Sequence, residues 1–212
     1  MDIESDGGFI TFEGIEGCGK STQAKMLYEH LIETGYGVVH TREPGATAIG
    51  RVLRETLLST EFAGMDPRSE LLLFAASRAQ HVAEVLRPSL GDGKIIICDR
   101  YVDSTIAYQA YGRGLPVAEA RRISDWASGG LMPDLTLLLD LPVEQALGRL
   151  SPDDLDRIEL ADIDFHRRVR EGFRELAEFY PERFRVLDAT QPAKAIHMQV
   201  IAAVNSFLDA II

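Results

Sequence analysis

The segment at residues 14–21 constrains the fold and the chemistry of this chain more than any other. It reads Gly-Ile-Glu-Gly-Cys-Gly-Lys-Ser and matches the pattern G-x-x-x-x-G-K-[ST] in full. In that pattern the glycines let backbone N–H groups turn towards phosphate oxygens, the lysine contacts the terminal phosphates and the hydroxyl faces Mg²⁺. An apolar run at 9–12 precedes the segment, and a helical pattern starts at Lys20, as such a loop requires. The sequence therefore predicts a nucleoside triphosphate site.

Short apolar runs alternate with helical stretches along the rest of the chain. The predicted strands lie at 9–12, 37–41, 94–98, 135–140 and 184–187. Because strands that are apolar throughout are typical of parallel sheets covered on both faces, we expect an α/β fold of the P-loop NTPase type. It has a five-stranded parallel sheet flanked by helices. We expect one domain over 9–212, after a disordered lead-in at 1–8.

Some local predictions bear on the site. One helix is predicted over 68–86, ending before Pro88, and another over 104–111. The five histidines show no spacing typical of metal ligands, and we expect His166 on a helix surface. Trp126 is expected in the core or an interface.

Charge and cysteine content exclude several classes of protein. The chain has 33 acidic and 22 basic residues, a net charge of -11, so we expect no nucleic acid polymer as partner. Cys18 and Cys98 lie in contexts that suggest neither a disulfide nor a metal cage, which indicates a reducing cytoplasm. No apolar stretch is long enough to span a bilayer, and the polar, acidic start is unlike a secretory signal. We therefore expect no membrane partner.

The residues that follow the third predicted strand point to a second ligand. A P-loop alone does not separate kinases from GTPases and motor ATPases, but the guanine-reading Asn-Lys-x-Asp pattern is absent. Asp99 follows the strand, as a carboxylate that serves Mg²⁺ often does. Arg100 comes next, at the carboxyl edge of the sheet where ligands bind, and a cation there suits an anionic second substrate.

Several segments, taken together and in order, resemble the thymidylate kinase family of nucleoside monophosphate kinases. They are F-E-G-I-E-G-C-G-K-S-T at 12–22, T-R-E-P-G at 41–45, L-F-A-A-S-R at 73–78, D-R-Y at 99–101, S-T-I-A-Y-Q at 104–109, G-R-G at 112–114, P-D-L-T at 133–136 and D-R-I-E at 156–159. The resemblance implies a P-loop kinase core with a short lid at about 150–159, Mg-ATP as phosphoryl donor, dTMP as acceptor and usually a homodimer.

On the donor side, the resemblance implies a set of ATP contacts formed by Gly14, Ile15, Glu16, Gly17, Cys18, Gly19, Lys20, Ser21, Thr22 and Arg149. Ser21 and Asp99 are the metal candidates. One subgroup of the family carries an arginine inside the loop, where Gly17 stands here. The extra positive charge must then come from the lid, whose segment 151–156 is acidic, so that Arg157 or Arg149 supplies it. Arg157 matches the family position and is the predicted catalytic arginine, together with Lys20.

On the acceptor side, Phe74 and Arg78 are four residues apart and share one helix face. Without the resemblance, Phe74 is typical of a core residue and Arg78 is typical of a surface charge. The resemblance implies that the ring of Phe74 stacks on thymine and that Arg78 binds a ring carbonyl. It likewise implies that Thr105 and Gln109 face the remaining base edge and that Tyr108 crowds the sugar where a 2′-hydroxyl would sit.

The acceptor phosphate is expected to be held by arginines, because their forked donors bind phosphate oxygens in pairs. The resemblance places Glu16, also predicted to be catalytic, near the acceptor's 3′-hydroxyl and phosphate-binding arginine. Glu43 is expected near the metal side. Ala46 stands where the family often has a second glycine. The further acceptor candidates are Arg42, Glu43, Arg54, Arg100 (also predicted to be catalytic) and Ser104.

Two other functions remain open from the residues alone. One is a P-loop kinase for another (deoxy)nucleotide or a deoxynucleoside, which would have no use for a pyrimidine-reading face at Arg78 and Gln109. The other is a nucleotide-dependent switch or ATPase module, which would turn over ATP without an acceptor.

Overall fold

The computed structural model describes residues 7–211, and they contain one sheet of five parallel strands. The strands run in the order β2-β3-β1-β4-β5. Phe12 pairs with Asp99 on one side and with Leu137 on the other, so the carboxyl ends of three strands meet at one edge. The predicted fold class is confirmed. The strands are β1 Gly8–Glu13, β2 Val38–Arg42, β3 Ile95–Asp99, β4 Leu135–Asp140 and β5 Phe184–Asp188.

Helices cover both faces of this sheet, because neighbouring strand residues alternate between two apolar clusters. Ile10 and Ile97 belong to the larger cluster, whereas Phe9 and Ile96 belong to the smaller one. The helices are α1 Lys20–Glu33, α2 Ala48–Leu58, α3 Pro67–His81, α4 Arg87–Gly91, α5 Val102–Thr105, α6 Val117–Ser128, α7 Val143–Leu147, α8 Ile163–Phe179 and α9 Ala193–Ile211.

Two predicted helices differ from the observed ones. The helix predicted over 68–86 changes to a π-helical turn at Val82–Leu86 and continues past Pro88 into α4. Pro88 lies in the first turn of α4, where a missing N–H costs little. The helix predicted over 104–111 begins earlier, as α5, and widens into a π-helical turn at Ile106–Gly112. Such widened turns often occur at functional sites, and this one carries Tyr108 and Gln109.

The start of the chain and Trp126 also differ from expectation. Residues 1–6 of the predicted lead-in lie outside the described residues, and Gly8 already belongs to β1. Trp126 is 84% exposed on α6, so it is not a core residue of the monomer.

Within the described range 7–211, we find no helix that combines the length and the apolar character needed to cross a membrane.

Candidate active site

A cavity opens at the carboxyl edge of the sheet, between the P-loop, α3 and the π-helical turn that follows α5. Most of the predicted site residues line it, which brings the triphosphate loop and the acceptor candidates into one space. Those residues are Glu16, Gly17, Lys20, Ser21, Arg42, Glu43, Arg54, Phe74, Arg78, Asp99, Arg100, Ser104, Thr105, Tyr108 and Gln109. The other predicted site residues do not line it; they are Gly14, Ile15, Cys18, Gly19, Thr22 and the two lid arginines.

The glycines of the P-loop are required by its geometry. Gly14 and Gly17 have φ values of 136° and 71°, in the region that favours glycine. A Cβ at Gly17 would lie 2.2 Å from the carbonyl oxygen of Ala146. Consequently this loop has no room for the arginine that the other subgroup carries there. Lys20 is buried at the start of α1 and donates its Nζ–H to the carbonyl of Ile15 at 2.8 Å.

The metal candidates Ser21 and Asp99 lie side by side at the strand ends. The Ser21 hydroxyl donates to the Asp99 carboxylate. Among the described residues, no group of three or more His, Cys, Asp or Glu side chains is arranged to hold a metal ion. Two protein oxygens fit Mg²⁺ that arrives with a nucleotide, because this ion keeps waters and substrate phosphates as most of its ligands.

Arg100 is turned back across the P-loop by its backbone. Its φ of 70° is unusual for a residue other than glycine. The guanidinium donates to the Gly14 carbonyl at 2.9 Å, to Ser104 Oγ at 3.2 Å and to Glu16 Oε1 at 2.9 Å. The cation is thus fixed between the loop and the cavity before a ligand binds.

Glu13, at the end of β1, holds the segment that carries Arg100. One oxygen accepts from the backbone N–H groups of Tyr101 at 2.8 Å and Ser104 at 3.3 Å, and the other accepts from the Ser104 hydroxyl at 2.6 Å. Burial, reinforced by nearby Asp103, raises the pKa of Glu13 to about 8.

Glu16 lies at the centre of the site. Its Oε1 also accepts from the Tyr108 hydroxyl at 2.6 Å, and its Oε2 lies 3.7 Å from His166 Nδ1. Burial opposes ionisation here, but the charges of Arg100 and Lys20 outweigh it and hold the pKa of Glu16 below its ordinary value. His166 is fully buried, so its predicted place on a helix surface is wrong. The reason is that α8 packs its inner face against the π-helical turn that carries Tyr108.

The base side of the cavity is built around a buried arginine. Arg78 donates Nε–H to Glu43 Oε2 at 2.9 Å, and Nη2–H to the Tyr101 carbonyl and to Thr105 Oγ1, both at 3.0 Å. Its Nη1 is buried and has no hydrogen-bond partner within the described part of the chain. An unpaired buried donor at a cavity wall can bind a carbonyl of a ligand. Phe74 is half-buried and lines the same cavity, so it is not simply a core residue.

The carboxylate of Glu43 contacts groups on the base side, whereas its backbone N–H donates to the carbonyl of the metal candidate Asp99 at 3.0 Å. Glu43 Oε2 binds Arg78, and Glu43 Oε1 lies 2.9 Å from His81 Nδ1. His81 in turn contacts Thr41 Oγ1 at 2.8 Å through Nε2. With both oxygens engaged in this way, Glu43 fixes the guanidinium of Arg78.

Two more arginines border the cavity near Arg100. Arg42 ends β2 and is exposed, and Arg54 on α2 donates Nη1–H to the Pro44 carbonyl at 3.2 Å. Burial, together with the charge of Arg42, lowers the pKa of Arg54. Cations close enough to perturb one another form a local anion site within an acidic protein.

The two lid arginines have different surroundings, and the choice of Arg157 as the catalytic one stays a prediction. Arg157, the predicted catalytic arginine, is buried, with Nη1 2.6 Å from Glu70 Oε2 and Nε–H donated to the Leu57 carbonyl at 2.9 Å. Arg149 instead donates to the carbonyl of Gly17 at 3.3 Å and to that of Ala189 at 3.4 Å. The arginine on the P-loop is therefore Arg149, because the buried carboxylate of Glu70 binds Arg157.

Comparison with known proteins agrees with this arrangement. The family model for thymidylate kinase matches residues 12–200. The chain is 49% identical over 208 residues to a thymidylate kinase of Desulfovibrio desulfuricans, covering 94% of this chain and 96% of that one. It is 48% identical over 205 residues to one of Geotalea uraniireducens, covering 93% and 96%. The chain belongs to the thymidylate kinase family. The crystal structure of thymidylate kinase from Ehrlichia chaffeensis is similar, with a TM-score of 0.76, 37% identity and coverage of 93% of this chain and 98% of that chain.

Within this thymidylate kinase family fold, sequence reasoning missed three residues that hold the site together. Glu13 and His81 support Arg100 and Arg78 as described, and Glu70 binds Arg157. Each acts through partners distant in sequence, separated by 38 residues for His81 and Glu43 and by 88 for Glu13 and Tyr101. The one available signal was an acidic residue that directly follows an apolar strand pattern, and it applies to Glu13 alone.

Proposed function

We propose that this chain transfers the γ-phosphoryl group of Mg-ATP to dTMP, giving dTDP, a step towards dTTP. One observation carries the proposal: a single cavity joins the P-loop to a buried, unpaired arginine donor and a half-buried phenylalanine. The P-loop suits a triphosphate, and the arginine donor and the phenylalanine together suit a flat base with a ring carbonyl. Membership of the thymidylate kinase family supports the same acceptor.

The acceptor is recognised from three sides. The ring of Phe74 stacks on thymine, and Arg78 donates from Nη1 to a carbonyl of the base. Tyr108 is held by Glu16 at 2.6 Å, and its ring fills the space beside the sugar, which favours deoxyribose over ribose. Glu16 is kept ionised by Arg100 and Lys20, so it accepts a hydrogen bond from the 3′-hydroxyl.

Catalysis depends on position and charge. Arg100, with Arg42 and Arg54, holds the acceptor phosphate, and one of its oxygens attacks the γ-phosphorus in line. These oxygens are ionised near neutral pH, so no strong general base is needed. Lys20 leaves the Ile15 carbonyl to meet the terminal phosphates, and Arg149 supplies the second cation. Ser21 and Asp99 would hold Mg²⁺, which when bound neutralises phosphate charge.

We also propose a homodimer through α2 and α3. These helices pack together, and each exposes large apolar side chains, with Val52 63% and Leu72 56% exposed. A surface of this kind is typical of an interface between subunits. Sedimentation of wild type against Leu72→Glu tests it, and a monomeric wild type would overturn it.

The cytoplasmic location stays a prediction, which rests on two free, buried cysteines.

An acceptor panel tests the proposed function. ADP release is measured with dTMP, dUMP, dCMP, dAMP and dGMP, and without an acceptor. The proposal expects the highest kcat/KM for dTMP. A higher value for another acceptor supports the kinase of different specificity, and equal ADP release without an acceptor supports an ATPase or switch. Either result contradicts the proposal.

A further inference from the structure

The geometry points to Glu70 as the residue that determines which hydrogen-bonding group of Gln109 faces the acceptor base. This inference rests on the proposed function, since it assumes a pyrimidine nucleotide in the cavity. Glu70 lies on α3, is 1% exposed and does not line the cavity itself. We therefore treat it as a specificity-determining residue that acts through Gln109.

The carboxylate of Glu70 is surrounded by donors. Oε1 accepts from Gln109 Nε2 at 2.9 Å and from Arg113 Nε at 3.1 Å. Oε2 accepts from Arg113 Nη2 at 3.1 Å and lies 2.6 Å from Arg157 Nη1. Burial opposes ionisation, but Arg113 and Gln109 hold the pKa of Glu70 below its ordinary value. An ionised carboxylate can only accept hydrogen bonds.

The orientation of the Gln109 amide follows from this chemistry. Because Glu70 offers no donor, the NH₂ group of Gln109 must point at Glu70, and the opposite rotamer would set oxygen against oxygen. Gln109 is 1% exposed and borders the cavity, so its carbonyl Oε1 is the amide atom that faces the ligand. Glu70 thus makes Gln109 an acceptor towards the cavity.

Arg78 lines the same wall and presents the complementary group. Its Nη1 is a buried donor with no partner in the described residues. A donor beside an acceptor matches a pyrimidine that carries a ring carbonyl next to an N–H, as thymine and uracil do. Cytosine has an amino group next to a bare ring nitrogen, the reverse pattern, and both contacts would fail. Glu70 therefore selects keto pyrimidines through Gln109.

Glu70→Gln tests this assignment. The new amide keeps its oxygen towards Arg113 Nη2 and Arg157 Nη1 at the Oε2 position, so its NH₂ meets Gln109 and the bond from Arg113 Nε is given up. Gln109 then turns over to accept this bond and presents its own NH₂ to the cavity. The ratio of kcat/KM for dTMP to that for dCMP should fall by about 10- to 100-fold, as expected when a buried group loses its match. KM for dTMP should rise while KM for ATP stays unchanged.

Arg113→Gln is the matched control. It removes a cation from the same carboxylate but leaves the bond between Gln109 and Glu70 in place. It should lower Tm, as loss of a partly buried ion pair does, and leave the dTMP to dCMP ratio unchanged. A purely structural role for Glu70 predicts instead that both variants alter stability and that the ratio stays unchanged in Glu70→Gln as well.

The outcomes distinguish a failure of the proposed function from a failure of the role assigned to Glu70. A wild type that does not prefer dTMP overturns the proposed function. A wild type that prefers dTMP, with an unchanged ratio in Glu70→Gln, overturns this inference alone. If Glu70→Gln does not fold, Glu70→Asp keeps the charge and withdraws the oxygens from Gln109. Glu70→Asp should also lower the ratio of kcat/KM for dTMP to that for dCMP. A ratio equal to that of wild type would again overturn the inference.

Discussion

The acceptor side and the lid of this active site are built in opposite ways. On the acceptor side, Arg78 and Arg100 are held by Glu43 and Glu16 at 2.9 Å, within a largely buried network. In the lid, residues 151–153 are exposed, and the hydrogen bonds of Arg149 within the described residues are two long ones, of 3.3 and 3.4 Å, to backbone carbonyls. The acceptor side is therefore organised before binding, whereas Arg149, the proposed source of the lid's positive charge, is loosely held.

The largest expected effect comes from Arg149→Ala. If this side chain meets the transferring phosphoryl group, kcat should fall about a thousandfold, with Tm close to wild type. Arg167→Ala removes an exposed arginine from a surface ion pair and should change neither quantity. The measurement is steady-state kinetics with dTMP at saturating ATP.

Arg157→Ala completes this comparison of the lid arginines. Loss of Arg157 leaves Glu70 with one cation, so the free energy of unfolding should fall by about 3 kcal/mol while kcat changes less than in Arg149→Ala. Chemical denaturation measures the free energy of unfolding, and steady-state kinetics with dTMP measures kcat. If Arg157→Ala lost more kcat than Arg149→Ala, the assignment of the two arginines would be reversed.

Arg100→Met tests the acceptor side. Because this preorganised cation is proposed to hold the acceptor phosphate, kcat/KM for dTMP should fall about a hundredfold, while KM for ATP changes little. Arg185→Met is the control, because Arg185 is exposed on β5 and donates to nearby backbone carbonyls. Equal losses of kcat/KM for dTMP and for ATP would show that the acceptor side and the ATP side do not act separately.

A different kind of effect is expected from pH through Glu13. Its folded-state pKa of about 8 lies above the ordinary value of 4.5, so the native state favours the protonated form. The associated stability is fully present below pH 4.5 and is lost as pH rises through 8. The Glu13→Gln variant should therefore show a flatter decline in unfolding free energy between pH 5 and 8 than wild type. Parallel curves from urea denaturation would contradict the raised pKa.

The smallest effect should come from the lid surface. Asp153→Lys reverses an exposed charge near the ATP side and should lower KM for ATP about twofold at low salt, an effect that disappears at high salt. Asp209→Lys makes the same change on α9 and should leave KM for ATP unaffected. A large effect of Asp153→Lys that persists in high salt would mean that the lid is as organised as the acceptor side.

The sequence predicted the features that depend on neighbours along the chain. The P-loop was evident from residues 14–21, and the strands were evident because each contains a short apolar run between polar or helical stretches. It could not predict which buried carboxylate each arginine meets. Arg157 matches its family position, yet Glu70, 87 positions earlier, binds its guanidinium. His166 was misplaced for the same reason, because its burial depends on how α8 packs rather than on its flanking charges.

The central claim is that a phosphoryl group passes from ATP to dTMP within one site. The most direct measurement uses ATP with an ¹⁸O-labelled terminal phosphate, with product masses followed over one turnover. We expect dTDP that carries the labelled phosphoryl group, formed in step with ADP. Labelled inorganic phosphate with unchanged dTMP would contradict this account.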